Sequence, residues 1–91
     1  MVEVQLKIYG RVQGVFFRSE TQKKAQQLNL KGWVRNEPDG TVFAVVQGDN
    51  DQIQQLLEWC KEGPDAAKVE NIDIMPNPNP SEQYRDFSIK Y

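Results

Sequence analysis

The sequence contains no histidine and only one cysteine, Cys60. Without histidine, the chain has no imidazole general base and cannot form a phosphohistidine intermediate. A single cysteine cannot form an intramolecular disulfide bond, which favours a reducing compartment, and we expect the protein in the cytoplasm. Because Cys60 falls on an apolar helical stripe, we predict a buried thiol rather than a nucleophile.

Long apolar runs are also missing. No stretch reaches the roughly 18 residues that indicate a transmembrane helix, so we expect no membrane span. Strand-like alternation starts at Met1 without a basic or apolar leader segment before it, and we therefore expect no signal peptide. The acidic side chains do not cluster at the spacing of metal ligands, and we expect neither a metal nor a cofactor.

The charges are unevenly distributed, although the net charge is only −2. Residues 1–36 carry seven Lys/Arg and two acidic residues, which gives +5, whereas residues 37–91 carry four bases and eleven acids, which gives −7. The basic part could attract a small anion or a nucleic acid, or it could form an ordinary solvated helix face.

Hydrophobic periodicity predicts the secondary structure. A period of two indicates strands, a stripe at i, i+3, i+4 and i+7 indicates helices, and Pro38-Asp39-Gly40 indicates a hairpin turn. The first half of the chain is predicted to form a strand over residues 2–9, a glycine-containing break over residues 10–16, a helix from Phe17 that ends at Asn29 or Gly32, and a hairpin over residues 32–47. The second half is predicted to form a helix between the caps at residues 48–51 and Gly63-Pro64, a strand over residues 69–74, an irregular loop over residues 76–80 and a short strand over residues 87–91.

The element order β-α-β-β-α-β, followed by a short terminal strand, is that of a ferredoxin-like α+β sandwich. We expect two helices on one face of an antiparallel or mixed sheet, in a single domain of residues 1–91. The first two strands should be parallel, because a right-handed helical crossover joins them. Residues 13–18 and Asn36 should then lie at one edge of the sheet, where such crossovers often build sites.

The segment that joins the first strand to the first helix has the parts of an anion site. Helix N-termini present free N–H groups and a partial positive charge, and Gly14 allows the backbone to curl into a nest. Arg18, in or beside the first helical turn, can bind phosphate oxygens with two N–H groups. The alternative is an ordinary turn followed by a surface arginine. The Walker and dinucleotide glycine spacings are both absent.

Two motifs in this region and in the hairpin resemble the two signatures of the acylphosphatase family. The first is Gly10-x-Val12-Gln13-Gly14-Val15-x-Phe17-Arg18, and the second is Gly32-Trp33-Val34-Arg35-Asn36-x3-Gly40-x-Val42-x5-Gly48. Chain length and element order are also similar to the family over essentially the whole sequence. The part after about Val69 carries no signature residue, and the loop over residues 76–80 looks like a local elaboration.

The resemblance implies an enzyme that hydrolyses the carboxyl–phosphate bond of acyl phosphates to a carboxylate and inorganic phosphate, without a metal. It implies that Arg18 binds the phosphate and that Asn36 orients the attacking water. It also implies a phosphate cradle of backbone amides from Gln13, Gly14, Val15, Phe16, Phe17 and Arg18. Judged from the residues alone, Asn36 could instead satisfy its own backbone beside the hairpin turn.

The chemistry of these residues suits an activated substrate. An asparagine amide cannot accept a proton at neutral pH, so Asn36 can only orient a water. Acyl phosphates are mixed anhydrides whose carboxylate leaves without being protonated, and catalysis then rests on positioning and charge stabilisation. We hypothesise that a phosphate oxygen of the substrate accepts the proton of the water. Phe16 is either an apolar wall for the acyl group or a packing residue.

Two other functions remain open at this stage. A non-catalytic, anion-binding regulatory module would need Arg18 and its loop but not Asn36. An RNA-recognition module would need basic residues and stacking aromatics on a central strand, whereas residues 41–46 contain one aromatic and no basic residue, and the pI is near 5.0. We expect a monomer that binds neither nucleic acid nor membrane, with Arg18 held at rest by an acidic group such as the C-terminal carboxylate.

Overall fold

The computed structural model describes residues 2–91, so Met1, the first residue of the predicted domain, lies outside it. These residues form five strands and two helices in the predicted order. The elements are β1 (Val2–Arg11), α1 (Phe17–Gln27), β2 (Lys31–Asn36), β3 (Val42–Gly48), α2 (Asn50–Glu62), β4 (Lys68–Pro76) and β5 (Phe87–Lys90). Within residues 2–91, neither helix has the length and apolar character to cross a membrane.

The sheet is mixed, with the strand order β4-β1-β3-β2-β5. β3 is antiparallel to both of its neighbours, β1 and β2, so these two strands are parallel to each other, as predicted. β5 pairs with β2 in parallel, and β4 pairs with β1 in antiparallel fashion. The carboxyl ends of β1, β2 and β5 therefore lie at one edge of the sheet.

Both helices pack on the same face of this sheet. Alternate residues of β1 and β3 join the apolar stripes of α1 and α2 in one buried cluster. The stripe of α2 consists of Ile53, Leu56, Leu57 and Cys60, all buried. The prediction of a buried thiol is confirmed, and burial raises the pKa of Cys60 to about 12.

Element ends differ from the prediction at several strands. β4 runs from Lys68 to Pro76, and because Pro76 lies opposite Val4 of β1, it belongs to the strand and not to the predicted loop over residues 76–80. β1 continues through Gly10 to Arg11, because the register with β4 shifts between Tyr9 and Gly10 and Gly10 adopts a φ of 124° in this irregularity. β5 ends at Lys90, one residue before the predicted end at Tyr91. Asn29, with a φ of 57°, supplies the predicted left-handed stop after α1.

A buried polar network holds the long connection from β4 to β5. The Gln47 Nε2 group donates to Glu3 Oε1 at 2.6 Å and to the Glu82 carbonyl at 2.7 Å, and Gln47 Oε1 accepts from the Tyr84 N–H at 3.0 Å. Asn77 donates to the other oxygen of Glu3. The connection is thereby fixed across the ends of the central strands, which sets the position of β5 beside β2.

Asp39 holds the turn between β2 and β3. Its Oδ1 accepts from the N–H of Thr41 at 3.1 Å and from Thr41 Oγ1 at 2.6 Å, and its Oδ2 lies 3.0 Å from Lys7 Nζ on β1. The bonds from Thr41, followed by the contact with Lys7, lower the pKa of Asp39 from 3.8 to about 2.

The charged form of Asp39 should therefore stabilise the fold in a pH-dependent way. A lowered pKa in the folded state means that the contribution is complete above the unfolded value of 3.8 and is lost as the pH falls through about 2. We expect Asp39→Asn to lower Tm near neutral pH, with the difference from the wild type shrinking between about pH 4 and pH 2. Thermal unfolding followed by circular dichroism across this range measures the difference. Glu58→Gln, which removes only an exposed helical ion pair with Lys61, is the control. A difference that stays constant down to pH 2 would contradict this assignment.

Candidate active site

A cavity of about 310 Å³ opens at the sheet edge where β1, β2 and β5 end. Its lining comes from the β1–α1 loop, the first turn of α1, the last residue of β2, and residues within and just after β5. The lining residues are Val12, Gly14, Phe16, Phe17, Arg18, Ser19, Asn36, Ile89 and Tyr91. The fold thus brings Arg18 and Asn36 to one cavity, as the parallel arrangement of β1 and β2 predicted.

The N-terminus of α1 faces this cavity without a side-chain cap. The first helical hydrogen bond runs from the N–H of Glu20 to the carbonyl of Phe16 at 3.1 Å. The N–H groups of residues 17–19 consequently have no acceptor within the helix, and the aligned peptide dipoles add a partial positive charge. This arrangement is suited to binding an anion.

Two residues of the preceding loop have left-handed backbone conformations. Gly14 has a φ of 75°, which a glycine adopts without steric cost, and Phe16 has a φ of 63° and a ψ of 20°. For a bulky residue such a conformation costs about 1–3 kcal/mol. Left-handed residues in a turn let successive N–H groups converge on a concave surface, as in other anion nests.

Phe16 points outward as a result of this conformation. Its side chain is 78% exposed at the cavity, whereas the next residue, Phe17, is buried and packs against Trp59 with 5.8 Å between ring centroids. A packing role for Phe16 in the core is therefore wrong. The change from a left-handed residue to the first helical residue directs the two rings to opposite sides.

Arg18 is half-buried, and its guanidinium carbon lies 5.1 Å from the centre of the Tyr91 ring. The ion pairs within residues 2–91 use Lys7, Lys23, Arg35 and Lys61, and none uses Arg18. The expected acidic partner is therefore wrong for the described part of the chain. The resting contact is a cation–π interaction with an exposed ring, which leaves the positive charge uncompensated by a carboxylate.

Asn36 is the last residue of β2 and lies opposite Val42 of β3. Its side-chain oxygen, Oδ1, is buried and has no hydrogen-bond partner among residues 2–91. An unsatisfied buried acceptor costs about 1–3 kcal/mol. Thr21 Oγ1 and Gln52 Oε1 also lack a partner among residues 2–91, but of these three residues it is Asn36 that lines the cavity. The alternative in which this oxygen accepts a hydrogen bond from the hairpin backbone is therefore wrong. In the turn it is Asp39 Oδ1 that accepts from the N–H and the hydroxyl of Thr41.

Two members of the predicted cradle lie outside the cavity lining. Val15 packs against the buried cluster, and the side chain of Gln13 binds the backbone of the β2–β3 hairpin. Participation of their backbone amides stays a prediction. Gly14, Phe16, Phe17 and Arg18, by contrast, all line the cavity.

Sequence reasoning did not assign Val12, Ser19, Ile89 or Tyr91 to the site. Ile89 and Tyr91 reach it because β5 runs parallel to β2, with Ile89 opposite Val34. The alternation of Phe87, Ile89 and Tyr91 identified the strand, but not the neighbour with which it pairs.

The ionisable side chains in the lining are those of Arg18 and Tyr91, with no Asp or Glu side chain among these described residues. Within residues 2–91, no three His, Cys, Asp or Glu side chains lie together in a way that could hold a metal ion. The lining therefore offers hydrogen-bond donors, one fixed positive charge and one unpaired amide oxygen. These groups can bind an anion and orient a water beside it.

Comparison with known proteins agrees with this geometry. The family model described as Acylphosphatase matches residues 4–89. An acylphosphatase of Syntrophus aciditrophicus is 42% identical over 91 residues, which cover 100% of this chain and 94% of the relative. The crystal structure of an acylphosphatase from Bacillus subtilis is similar with a TM-score of 0.95 and 34% identity, covering 100% of both chains. An acylphosphatase structure from Coxiella burnetii has a TM-score of 0.90 and 40% identity, covering 98% of this chain and 92% of that chain. The chain belongs to the acylphosphatase family.

Proposed function

We propose that the protein hydrolyses acyl phosphates to a carboxylate and inorganic phosphate. The observation that carries this proposal is the meeting of three features around one cavity. These are the uncompensated charge of Arg18, the free N–H groups at the start of α1, and the unpartnered Oδ1 of Asn36. The first two recognise a phosphate group, and the third provides an acceptor for a water.

The phosphate group binds against the N-terminus of α1. Arg18 donates two parallel N–H bonds to its oxygens, and backbone amides of residues 13–18 donate the others. These donors are fixed by the helix and by the left-handed loop before it, so little reorganisation is needed when charge develops. Arg18 exchanges its contact with Tyr91 for a stronger, charge-assisted one.

Asn36 positions the attacking water. Its Oδ1 accepts one hydrogen bond from the water and thereby directs a lone pair of the water oxygen towards phosphorus. Asn36 is paired with Val42 of β3, and the residue before it, Arg35, is also paired with β5, so the backbone of Asn36 is held firmly relative to the sheet. An amide cannot take up the proton of the water, so the proton passes to a phosphate oxygen of the substrate.

The leaving group is a carboxylate, which departs without a general acid. A loose transition state places most of its charge on the phosphoryl oxygens and the leaving oxygen, where Arg18 and the amides stabilise it. Simple phosphate monoesters, which would expel an alkoxide, should be poor substrates. Cys60 takes no part, because its thiol is buried in the core with its pKa raised to about 12.

We further propose that residues 1–91 act as one monomeric, cytoplasmic domain without a metal, a cofactor or a nucleic-acid partner. The side of the sheet that carries no helix supports the absence of a nucleic-acid partner. On this side the Arg35 guanidinium carbon lies 4.8 Å from the ring centre of Trp33 and 5.9 Å from that of Phe43. Arg35 is itself paired with Glu37, so this charge and these two rings already have partners within the protein.

The assigned roles predict different kinetic effects for the two central residues. With benzoyl phosphate and EDTA present, wild type should turn over, and Asn36→Ala should lose about 10²–10³ in kcat, as when one oriented polar group is removed from a hydrolase. Its inhibition constant for inorganic phosphate should change little. Arg18→Ala should lose both activity and phosphate inhibition, and Arg18→Lys should recover only part, because lysine lacks the planar fork.

Lys23→Ala is the matched control, since Lys23 is an exposed base on the same helix paired with Glu20. It should behave as wild type. A wild type that binds phosphate but fails to hydrolyse benzoyl phosphate would instead indicate an anion-binding module.

Proton transfer to the substrate predicts a nearly flat dependence of kcat on pH. The chain has no histidine, and no Asp or Glu side chain lines the cavity in the described residues. No enzyme group with an ordinary pKa near 6.5 is therefore available, and kcat should vary little between about pH 5 and pH 8. Initial rates at saturating substrate across this range provide the measurement. A sharp bell centred near neutrality would contradict the proposed route of the proton.

The exposed ring of Phe16 predicts a preference among acyl groups. With the phosphate at the helix N-terminus, the acyl group extends towards the cavity mouth, where Phe16 and Tyr91 stand. Phe16→Asn keeps a residue that tolerates the left-handed backbone and removes the ring. We expect kcat/KM for benzoyl phosphate to fall roughly two- to tenfold, the value of one aromatic pair, with acetyl phosphate almost unaffected. An equal loss with both substrates would exclude this acyl contact.

A further inference from the structure

Gln13 makes a contact that the proposed chemistry does not use. Its side-chain amide, Nε2, donates to the carbonyl of Glu37 at 2.8 Å and to the carbonyl of Thr41 at 2.9 Å. Both N–H groups of one amide are thus committed to the β2–β3 hairpin. The side chain is partly buried, which strengthens these bonds relative to similar ones in open water.

The two acceptor carbonyls belong to the turn that follows Asn36. The Glu37 N–H donates to the Thr41 carbonyl at 2.8 Å, and the Gly40 N–H donates to the Glu37 carbonyl at 3.1 Å. Gln13 therefore binds a closed, hydrogen-bonded turn rather than a free loop. Its first acceptor residue, Glu37, directly follows Asn36 in the chain.

Along the backbone, Gln13 is continuous with the segment that is proposed to bind phosphate. It directly precedes Gly14, and Gly14, Phe16 and Arg18 all line the cavity. Within residues 2–91, the two bonds of Gln13 are the only hydrogen bonds between residues 12–16 and residues 36–41. One side chain thus connects the segment that holds the phosphate with the segment that holds the water.

We propose that Gln13 is a positioning residue that sets the distance and angle between the phosphate cradle and Asn36. The inference rests on the proposed hydrolysis. In-line attack needs the reacting atoms about 3–3.5 Å apart, and a misplacement of about 1 Å can cost 10²-fold in rate. Phosphate binding needs only the cradle, whereas attack also needs Asn36 at the correct distance and angle from the cradle. Loss of the Gln13 bonds should therefore affect turnover more than binding.

Gln13→Met tests this separation, because methionine has a similar length and no donor. We expect kcat to fall about ten- to 100-fold, with KM and the inhibition constant for inorganic phosphate within about twofold of wild type. Gln22→Met is the matched control, since it removes another bond from a glutamine Nε2 to a backbone carbonyl, that of Phe87 at 3.1 Å. Gln22→Met should leave kcat unchanged.

A double-mutant cycle with Asn36→Ala separates positioning from a general structural role. If Gln13 acts through Asn36, Gln13→Met should have less than about a twofold effect on kcat in the Asn36→Ala background. Asn36→Ser serves as a second background in case Asn36→Ala turns over too slowly for an accurate rate. Gln13→Met could instead lower kcat by the same factor in the wild type and in the Asn36→Ala background, or raise KM at constant kcat. Either result would overturn the role of Gln13 and leave the proposed function standing. An inactive wild type, or an Asn36→Ala variant as active as wild type, would overturn the proposed function together with this inference.

Discussion

The architecture of the site depends on the parallel orientation of β1 and β2 on either side of β3. α1 forms the crossover between these two parallel strands, and its N-terminus lies at the edge where β2 ends. β5, parallel to β2, brings its own end to the same edge. Three chain segments that are distant in sequence converge there. The segment from β1 to α1 contributes backbone donors and a guanidinium, β2 contributes an amide oxygen, and the segment at the end of β5 contributes an aromatic ring.

The electrostatic character of the site comes from local compensation rather than from total charge. The protein is slightly acidic, yet the bases Lys7, Lys23 and Arg35 each pair with a carboxylate, whereas Arg18 makes no ion pair within residues 2–91 and contacts the ring of Tyr91. The N-terminus of α1 adds its partial charge at the same place. The structure tolerates the cost of an unpaired Asn36 oxygen and of a left-handed Phe16 here. Both local penalties occur beside the cavity, as is common where a site is organised in advance of its ligand.

Much of the fold followed from the sequence because its determinants are local. Periodicity located every strand and helix, and the apolar stripe of α2 identified Cys60 as a core residue. The two motifs located Arg18 and Asn36, and the crossover rule predicted that they would share an edge. The partner of β5 depends on a long connection fixed by Gln47, which no local pattern reveals. The outward direction of Phe16 follows from one φ angle, and the destination of the Gln13 side chain follows from tertiary packing, so neither was accessible to periodicity.

The left-handed conformation of Phe16 has a consequence for how such an enzyme can diversify. At this position the backbone is left-handed beside the N-terminus of α1, while the side chain projects into solvent and lies outside the buried core. Under the proposed acyl contact, the side chain at this position is constrained by the φ that it must adopt and by the acyl group that it would meet, and not by core packing. Substitution of this one surface residue would then change which acyl group is preferred, while Arg18 and Asn36 stay unchanged.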